Sequence, residues 1–550
     1  MTQPLLSVEH LSVTYPHQES SQPKKAIDDV SFEIAAGEKV GFVGESGCGK
    51  STLGKALMQL LPIGSQVEGK MAFEGRSISE LEPEALRRFR GEQVGLIFQD
   101  PMIRLDPLMS IGNHCIETLQ AHDGTLTKQA ATERALKTLE VVKIGKERWN
   151  QFPHEFSGGM RQRVAIALAL LLSPQLIIAD EPTTSLDVCV SAEILIELTS
   201  LCQELNMGLI LISHDLATIG TYCDRIVVMN QGKKVEEGTV KQIFGNPQQE
   251  YTKTLIDSAL HVQADRNSTP SLEAIPTKAT ILKLEQLQKH YTIETSFLQR
   301  LLTGAKTQTI KAVHNINLEL REGEIFGLVG ESGCGKSTLS RTILQLIPAT
   351  QGSVTFLGEE LTTLSPTAIR AKRREMQMIF QDPSASLNPM MTVGQSIADP
   401  LIIHGIHNTE AESKTEVLAM LSKVGLNPAQ EYYDRYPKQL SGGQQQRVGI
   451  ARALITKPKL VICDEPVSML DATIQAEVLD LMLKLKDEYK LTYLFITHDL
   501  WLARFLCDRI AVMDQGQLVE IGDTQAIFSN PQAAYTKKLL KAAPLLKNHS

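Results

Sequence analysis

Two stretches of this 550-residue sequence, Val43 to Leu53 and Val329 to Leu339, are identical residue for residue, and both hold groups suited to phosphate chemistry. The first contains Gly44, Glu45, Ser46, Gly47, Cys48, Gly49, Lys50, Ser51 and Thr52. The second contains Gly330, Glu331, Ser332, Gly333, Cys334, Gly335, Lys336, Ser337 and Thr338. The spacing Gly-x-x-x-x-Gly-Lys-Ser lets backbone N–H groups wrap phosphates at a helix N-terminus, with the lysine neutralising charge and the serine reaching Mg2+. Two such loops with ordered downstream partners predict two nucleotide sites.

Further along each half an acidic pair closes an apolar run. Asp180-Glu181 follows Leu176 to Ala179, and Asp464-Glu465 follows Leu460 to Cys463. Continuous apolar runs fit strands buried on both faces of a parallel sheet. At the C-terminal end of such strands Asp180 and Asp464 are placed to hold Mg2+, and Glu181 and Glu465 to orient or deprotonate the attacking water. His214 and His498 also follow apolar strands, Leu209 to Ile212 and Tyr493 to Ile496, where ligands gather in doubly wound sheets. In this company each is expected beside the terminal phosphate.

The elements that position these groups repeat as well. Lys39 to Val43 reads as a strand, Gly44 to Lys50 as a loop, and Ser51 to Leu61 as a helix. From the loop lysine to the acidic pair is 130 residues in one half and 128 in the other, and to the histidine 164 and 162. Two homologous halves account for this, as 1–260 and 281–540. Residues 261–280 between them are polar and broken by prolines, which reads as a linker, and 541–550 as a tail.

The bulk properties exclude several classes. A net charge of −8 argues against a chain built to coat nucleic acid. The longest apolar run, Val164 to Leu172, is far short of the ~20 residues that cross a bilayer as a helix. The start, Met1-Thr2-Gln3-Pro4, lacks a basic-then-apolar secretory pattern, which predicts an intracellular chain. Eight cysteines without a Cys-x-x-Cys pair suggest neither a disulfide framework nor a zinc site.

Ser157-Gly158-Gly159-Met160-Arg161-Gln162-Arg163 and Ser441-Gly442-Gly443-Gln444-Gln445-Gln446-Arg447 resemble the signature of ATP-binding-cassette (ABC) proteins, and with the other motifs the resemblance covers Leu6 to about Leu540. It implies an α/β fold of two P-loop NTPase cassettes, each with a RecA-like parallel-sheet core, an antiparallel β subdomain and a helical signature subdomain. It also implies ATP hydrolysis with Mg2+. In that family cassettes sit head to tail, so ATP on Lys50 would be capped by Ser441 to Gly443, and ATP on Lys336 by Ser157 to Gly159. Carried over likewise, Gln99 and Gln381 would sense Mg2+ and membrane contacts, Leu186-Asp187 and Leu470-Asp471 would cross the dimer seam, and Tyr15 and Tyr291 would stack on adenine.

Within the family the chain is most similar to a fusion of the two ATPase subunits of oligopeptide, dipeptide and nickel permeases. Both halves carry Phe-Gln-Asp-Pro followed by Leu105-Asp106-Pro107 or Leu387-Asn388-Pro389, and both end in Asn-Pro-x-x-x-Tyr-Thr-Lys, at Asn246 to Lys253 and Asn530 to Lys537. Half two has an insertion, Ser296 to Thr309, as the second subunit of such pairs often does. The resemblance implies a peripheral subunit at the cytoplasmic face of the inner membrane. Its partners would be two permease subunits that differ from each other and, indirectly, an extracytoplasmic solute-binding protein, with no nucleic acid.

Some features depart from the pattern. Leu168 stands where half two has Arg452, Asp106 replaces the usual asparagine, and residues 246–280 lack the cysteines of an iron–sulfur site. Cys48 and Cys334 lie where a helix N-terminus can lower a thiol pKa, the alternative being a plain small loop residue; on the first reading alkylation of these thiols blocks ATPase activity and bound nucleotide protects. Ribosome-binding tandem cassettes carry a long charged helical arm and DNA-repair ATPases carry zinc modules, and this sequence has neither. Monosaccharide importers usually have one degenerate loop, whereas both loops here are intact. Peptides, glutathione-like conjugates, metal chelates and nickel remain open as solutes, with peptides favoured by their frequency in the family.

Overall fold

The computed structural model describes residues 3–16, 25–100, 104–183, 186–263, 279–293 and 308–543. The chain divides into two compact units, one built essentially from 1–260 and the other from 261–543. Most of the expected linker, the half-two insertion and the last seven residues lie outside the described residues. A helix, Glu250–Gln263, runs three residues into the expected linker, and the first strand of unit 2 begins at Thr280.

In unit 1, β1 (Leu6–Thr14), β2 (Lys25–Ile34), β4 (Gln66–Phe73) and β5 (Arg76–Ser77) form an antiparallel sheet ordered β2-β1-β4-β5. A second sheet takes β3 (Lys39–Val43), β6 (Val94–Ile97), β7 (Leu176–Asp180), β8 (Gly208–Ile212), β9 (Arg225–Asn230) and β10 (Lys233–Thr239) in the order β10-β9-β3-β8-β7-β6. Its pairs are parallel except β9 with β10. β7 and β8 are buried at every position, as strands covered on both faces must be. Helices Ile111–His122, Lys128–Val141 and Gly158–Leu170 pack together as a helical subdomain.

Unit 2 repeats this plan. β11 (Thr280–Ile293), β12 (Gln308–Arg321), β14 (Gln351–Phe356) and β15 (Glu359–Glu360) form the antiparallel sheet. β13 (Ile325–Val329), β16 (Met376–Ile379), β17 (Leu460–Asp464), β18 (Thr492–Thr497), β19 (Arg509–Asp514) and β20 (Gln517–Asp523) order as β16-β17-β18-β13-β19-β20. The expected cassette architecture is present in both units. No helix among the described residues is long and apolar enough to cross a membrane.

The helix after the first loop is shorter than its apolar spacing predicts, Lys50–Leu57 rather than Ser51 to Leu61. Gln59 turns to φ +48, its N–H bonds Ala56 O, and Leu60 N–H bonds Lys55 O. This paired closure satisfies the last carbonyls and ends the helix. Gln345 and Leu346 end the matching helix, Lys336–Ile343, in the same way.

Candidate ATP site

Strand order brings the site together. The loop follows β3, His214 follows β8, Glu181 follows β7 and Gln99 follows β6, and these four strands are successive neighbours in the sheet. Their C-terminal ends therefore present four chemistries along one edge, the place where α/β sheets bind ligands. In unit 2 the loop, His498, Glu465 and Gln381 follow β13, β18, β17 and β16.

Gly49 and Gly335 end the loops at φ +105 and +110, where a Cβ would meet Ala26 O at 2.5 Å and Ala312 O at 2.1 Å. Only glycine fits. The lysines curl back over their own loops. Lys50 Nζ donates to Gly44 O at 2.6 Å and Glu45 O at 3.0 Å, and Lys336 Nζ to Gly330 O at 2.7 Å and Glu331 O at 2.8 Å. Both cations are thus buried but solvated by carbonyls, ready to exchange those partners for phosphate oxygens.

Cys48 and Cys334 are buried at 4% and 7% exposure. Burial pushes both thiols above their ordinary pKa, with the adjacent loop lysines opposing it. The expected lowering at the helix N-terminus is overturned, because loss of water disfavours the thiolate more than the lysine favours it.

Ser51 Oγ donates to Asp180 Oδ1 at 2.9 Å, and Ser337 Oγ to Asp464 Oδ1 at 3.5 Å. Burial raises both aspartates above the usual carboxylate range, with the serine hydroxyl and loop lysine opposing it. A hydroxyl and a desolvated carboxylate side by side are the oxygen donors that a hard divalent cation such as Mg2+ prefers, so the residues fit that ion.

Glu181 and Glu465 adopt φ +46 and +47, a strained conformation for non-glycine residues, held by N–H bonds to Ile212 O (3.0 Å) and Ile496 O (2.9 Å). The turn places each carboxylate between two neighbours. Gln99 Nε2 donates to Glu181 Oε2 at 2.8 Å, and His214 Nδ1 bonds Glu181 Oε1 at 3.2 Å. Gln381 Nε2 donates to Glu465 Oε2 at 2.9 Å, while His498 Nδ1 stands 3.1 Å from Glu465 Oε1, too poorly aligned for a hydrogen bond. The Glu181 hydrogen bond raises the His214 pKa against burial; burial lowers that of His498, but Glu465 outweighs it. Gln99 and Gln381, expected to sense Mg2+, are here held on the glutamates.

The signature serines are N-caps. Ser157 Oγ accepts from Met160 N–H and Ser441 Oγ from Gln444 N–H, both at 3.4 Å. Half two closes a capping box, Ser441 N–H donating to Gln444 Oε1 at 3.0 Å, which Met160 cannot provide in half one. Gly158 and Gly442 begin these helices, and a Cβ at the following Gly159 or Gly443 would meet Val190 at 2.4 Å or Ile474 at 2.6 Å. Tyr15 Oη hydrogen-bonds Thr52 Oγ1 at 3.0 Å beside the loop. Tyr291 is 39% exposed, with Lys289 Nζ 5.1 Å from its ring centre.

The Leu168/Arg452 mismatch has a counterpart that sequence reading missed. Arg452 Nη1 donates to Ser386 O at 2.6 Å, and the position matching Ser386 in half one is Arg104, whose guanidinium stacks 3.4 Å over Phe98. An arginine is thus carried by the signature helix in one half and by the loop after β6 in the other. In unit 2 a cleft of about 870 Å³ opens beside Gln381, with Phe380, Arg341, Arg370, Arg373 and Arg452 in its wall.

Loop, buried acidic strand end and histidine on a parallel sheet define a P-loop ATPase, here in two copies. The chain belongs to the ABC transporter family, whose model matches residues 27–184 and 313–468, and it is an ATP-binding, ATP-hydrolysing protein. A second model, the oligopeptide/dipeptide transporter C-terminal region, matches 235–286 and 519–550. The chain is 41% identical over 547 residues to the ABC transporter ATP-binding protein YejF of Escherichia coli K12, covering 98% of this chain and 99% of that one. It is 41% identical to the peptidoglycan transport ATP-binding protein YejF of Agrobacterium fabrum, covering 98% and 97%. The glutathione import ATP-binding protein GsiA of Salmonella typhimurium is also 41% identical, with 98% and 90% covered.

Proposed function

We propose that this chain is the subunit that energises an importer of peptides or peptide-bearing small solutes across the bacterial inner membrane, acting at its cytoplasmic face. The observation that carries the hydrolytic part is the glutamate held by a glutamine and flanked by a histidine, one residue beyond a buried aspartate, in both halves. Lys50 and Lys336 bind the phosphates of ATP and offset their charge. Glu181 and Glu465 orient the attacking water and take its proton. Gln99 and Gln381 hold those carboxylates in line, His214 holds Glu181 from the other side, and His498 stands beside Glu465 there. Ser51 with Asp180, and Ser337 with Asp464, would hold Mg2+, which when bound neutralises charge on the phosphates.

The solute class is supported by the two matches to the oligopeptide/dipeptide C-terminal region and by relatives named for glutathione and peptidoglycan, both of which contain peptide linkages. Solute choice itself would rest with two permease subunits and an external binding protein. The cleft beside Gln381, whose wall carries Arg341, Arg370, Arg373 and Arg452 as well as Asp382, Asp399 and Asp464 beside the apolar Phe380 and Leu346, supports a membrane partner with a partly apolar, charged docking element. The different placement of Arg104 and Arg452 supports two unlike permeases, one for each half.

The test is to express the chain with the permeases encoded beside it and purify the assembly. Two permease types in the complex, with ATPase activity stimulated by a peptide-loaded binding protein, are expected. A chain that travels with ribosomes or DNA, without membrane proteins, overturns the transport reading and leaves only the ATPase.

A further inference from the structure

The repeated motif Asn-Pro-x-x-x-Tyr-Thr-Lys lies outside the hydrolytic machinery, in the segments that the C-terminal-region model covers. Its tyrosines stand on helices Glu250–Gln263 and Ala534–Ala542, and both reach back to the phosphate loop of their own unit. Tyr251 Oη accepts a hydrogen bond from the backbone N–H of Glu45 at 3.3 Å. Tyr535 Oη accepts from the N–H of Glu331, also at 3.3 Å. These N–H groups belong to the peptide units Gly44–Glu45 and Gly330–Glu331. The carbonyls of the same units, Gly44 O and Gly330 O, receive Lys50 Nζ and Lys336 Nζ at 2.6 and 2.7 Å. One peptide plane is therefore held at both ends, by the loop lysine and by the tyrosine.

The tyrosines are themselves fixed. Glu236 on β10 accepts from Gln248 N–H at 2.8 Å and Gln249 N–H at 3.1 Å, tying the segment that leads into the helix to the sheet. Glu520 on β20 does the same with Gln532 N–H at 2.7 Å and Ala533 N–H at 3.0 Å. The next residues along, Thr252 and Thr536, are fully buried beside these carboxylates. Burial pushes the Tyr251 phenol up to about 12 and raises Tyr535 as well, so both hydroxyls stay neutral in the physiological range. Outside the shared motif the two helices differ in sequence and length, yet the contact recurs at the same distance.

We propose that Tyr251 and Tyr535 are positioning residues of the two phosphate loops, each fixing the peptide unit that orients the loop lysine, so that nucleotide binding and docking of the C-terminal helix form one linked equilibrium. The ligand is a nucleoside triphosphate, and the proposal rests on the reading of the two loops as the nucleotide sites. When the lysine turns to a phosphate it releases the carbonyl, and the tyrosine then holds the peptide unit alone. Linkage requires reciprocity: helix docking strengthens nucleotide binding by the factor by which nucleotide strengthens docking.

The experiment uses the full chain with Tyr251→Phe, Tyr535→Phe and both together, since phenylalanine keeps the ring and removes only the acceptor. ATP affinity is measured with and without Mg2+, and amide hydrogen exchange is followed over 250–263 and 534–542 with and without ATP. The double variant is expected to bind ATP about three- to tenfold more weakly, the effect of one ordinary hydrogen bond per site. Its KM should rise more than its kcat falls, and the nucleotide-induced slowing of exchange in the two helices should be lost. Glu236→Ala with Glu520→Ala, which frees the helix entry and leaves the tyrosines intact, should shift affinity in the same direction. Phenylalanine variants that match the wild type in affinity and in nucleotide-dependent exchange overturn the proposal alone. A wild-type chain that binds no ATP overturns the nucleotide-site reading, and the proposal with it.

Discussion

Glu181 Oε1 lies 3.2 Å from His214 Nδ1, and the two residues come from the ends of adjacent parallel strands, with the glutamate in a left-handed backbone conformation that turns it toward the histidine. The second half repeats the pairing with Glu465 and His498 at 3.1 Å. Holding Glu181 between Gln99 and His214, and Glu465 by Gln381 with His498 beside it, suits a base that must meet one water in one orientation.

If these glutamates are the bases, Glu181→Gln and Glu465→Gln should each lower ATP turnover, and the double variant should lose on the order of a hundredfold or more while still binding ATP. Steady-state hydrolysis beside equilibrium ATP binding checks this. A double variant with wild-type turnover would falsify the assignment.

Ser51 and Ser337 bond the buried aspartates directly, at 2.9 and 3.5 Å. Ser51→Ala with Ser337→Ala should raise the Mg2+ concentration for half-maximal turnover on the order of tenfold, and chelation of Mg2+ should stop turnover in every variant. A Mg2+ titration of activity at saturating ATP gives the answer, and unchanged half-saturation would remove the serines from the metal site.

Glu236 and Glu520 lie below the usual carboxylate range: burial pushes them up, but the backbone N–H groups at the helix entries and the threonine hydroxyls outweigh it. A depressed folded pKa contributes stability above the unfolded value of about 4.3, and that stability is lost as pH falls through the folded pKa. Amides of Gln248, Gln249, Gln532 and Ala533 should lose protection below that unfolded value, relative to amides of β7 and β17. In Glu236→Gln with Glu520→Gln this pH dependence should be absent. Exchange measured from pH 3 to 6, corrected for intrinsic rates, decides it.

All eight cysteines are buried thiols, and burial drives several far above the ordinary range, Cys115 to about 12. Thiol titration with a disulfide reagent near pH 8 should therefore run at least about tenfold slower in the native chain than in the unfolded one, for Cys48 and Cys334 as for the rest. Rapid, ATP-protected modification of Cys48 would show that its loop opens to reagents.

The sequence by itself determined the two phosphate loops, the buried strands that end in Asp-Glu, the repeat and the family. These features are local: a loop that wraps phosphate needs glycines and lysine at set spacing, and a strand covered on both faces needs an unbroken apolar run. Contacts across long separations were decided by the tertiary structure. Gln99 meets Glu181 because β6 lies beside β7, and Tyr251 meets the loop at Glu45 because the chain returns through β10 and its following helix. The left-handed turn at Glu181 and the raised thiol of Cys48 follow from what surrounds them after folding. Periodicity reads which face of an element is apolar, whereas strand order and desolvation depend on residues far away in the chain.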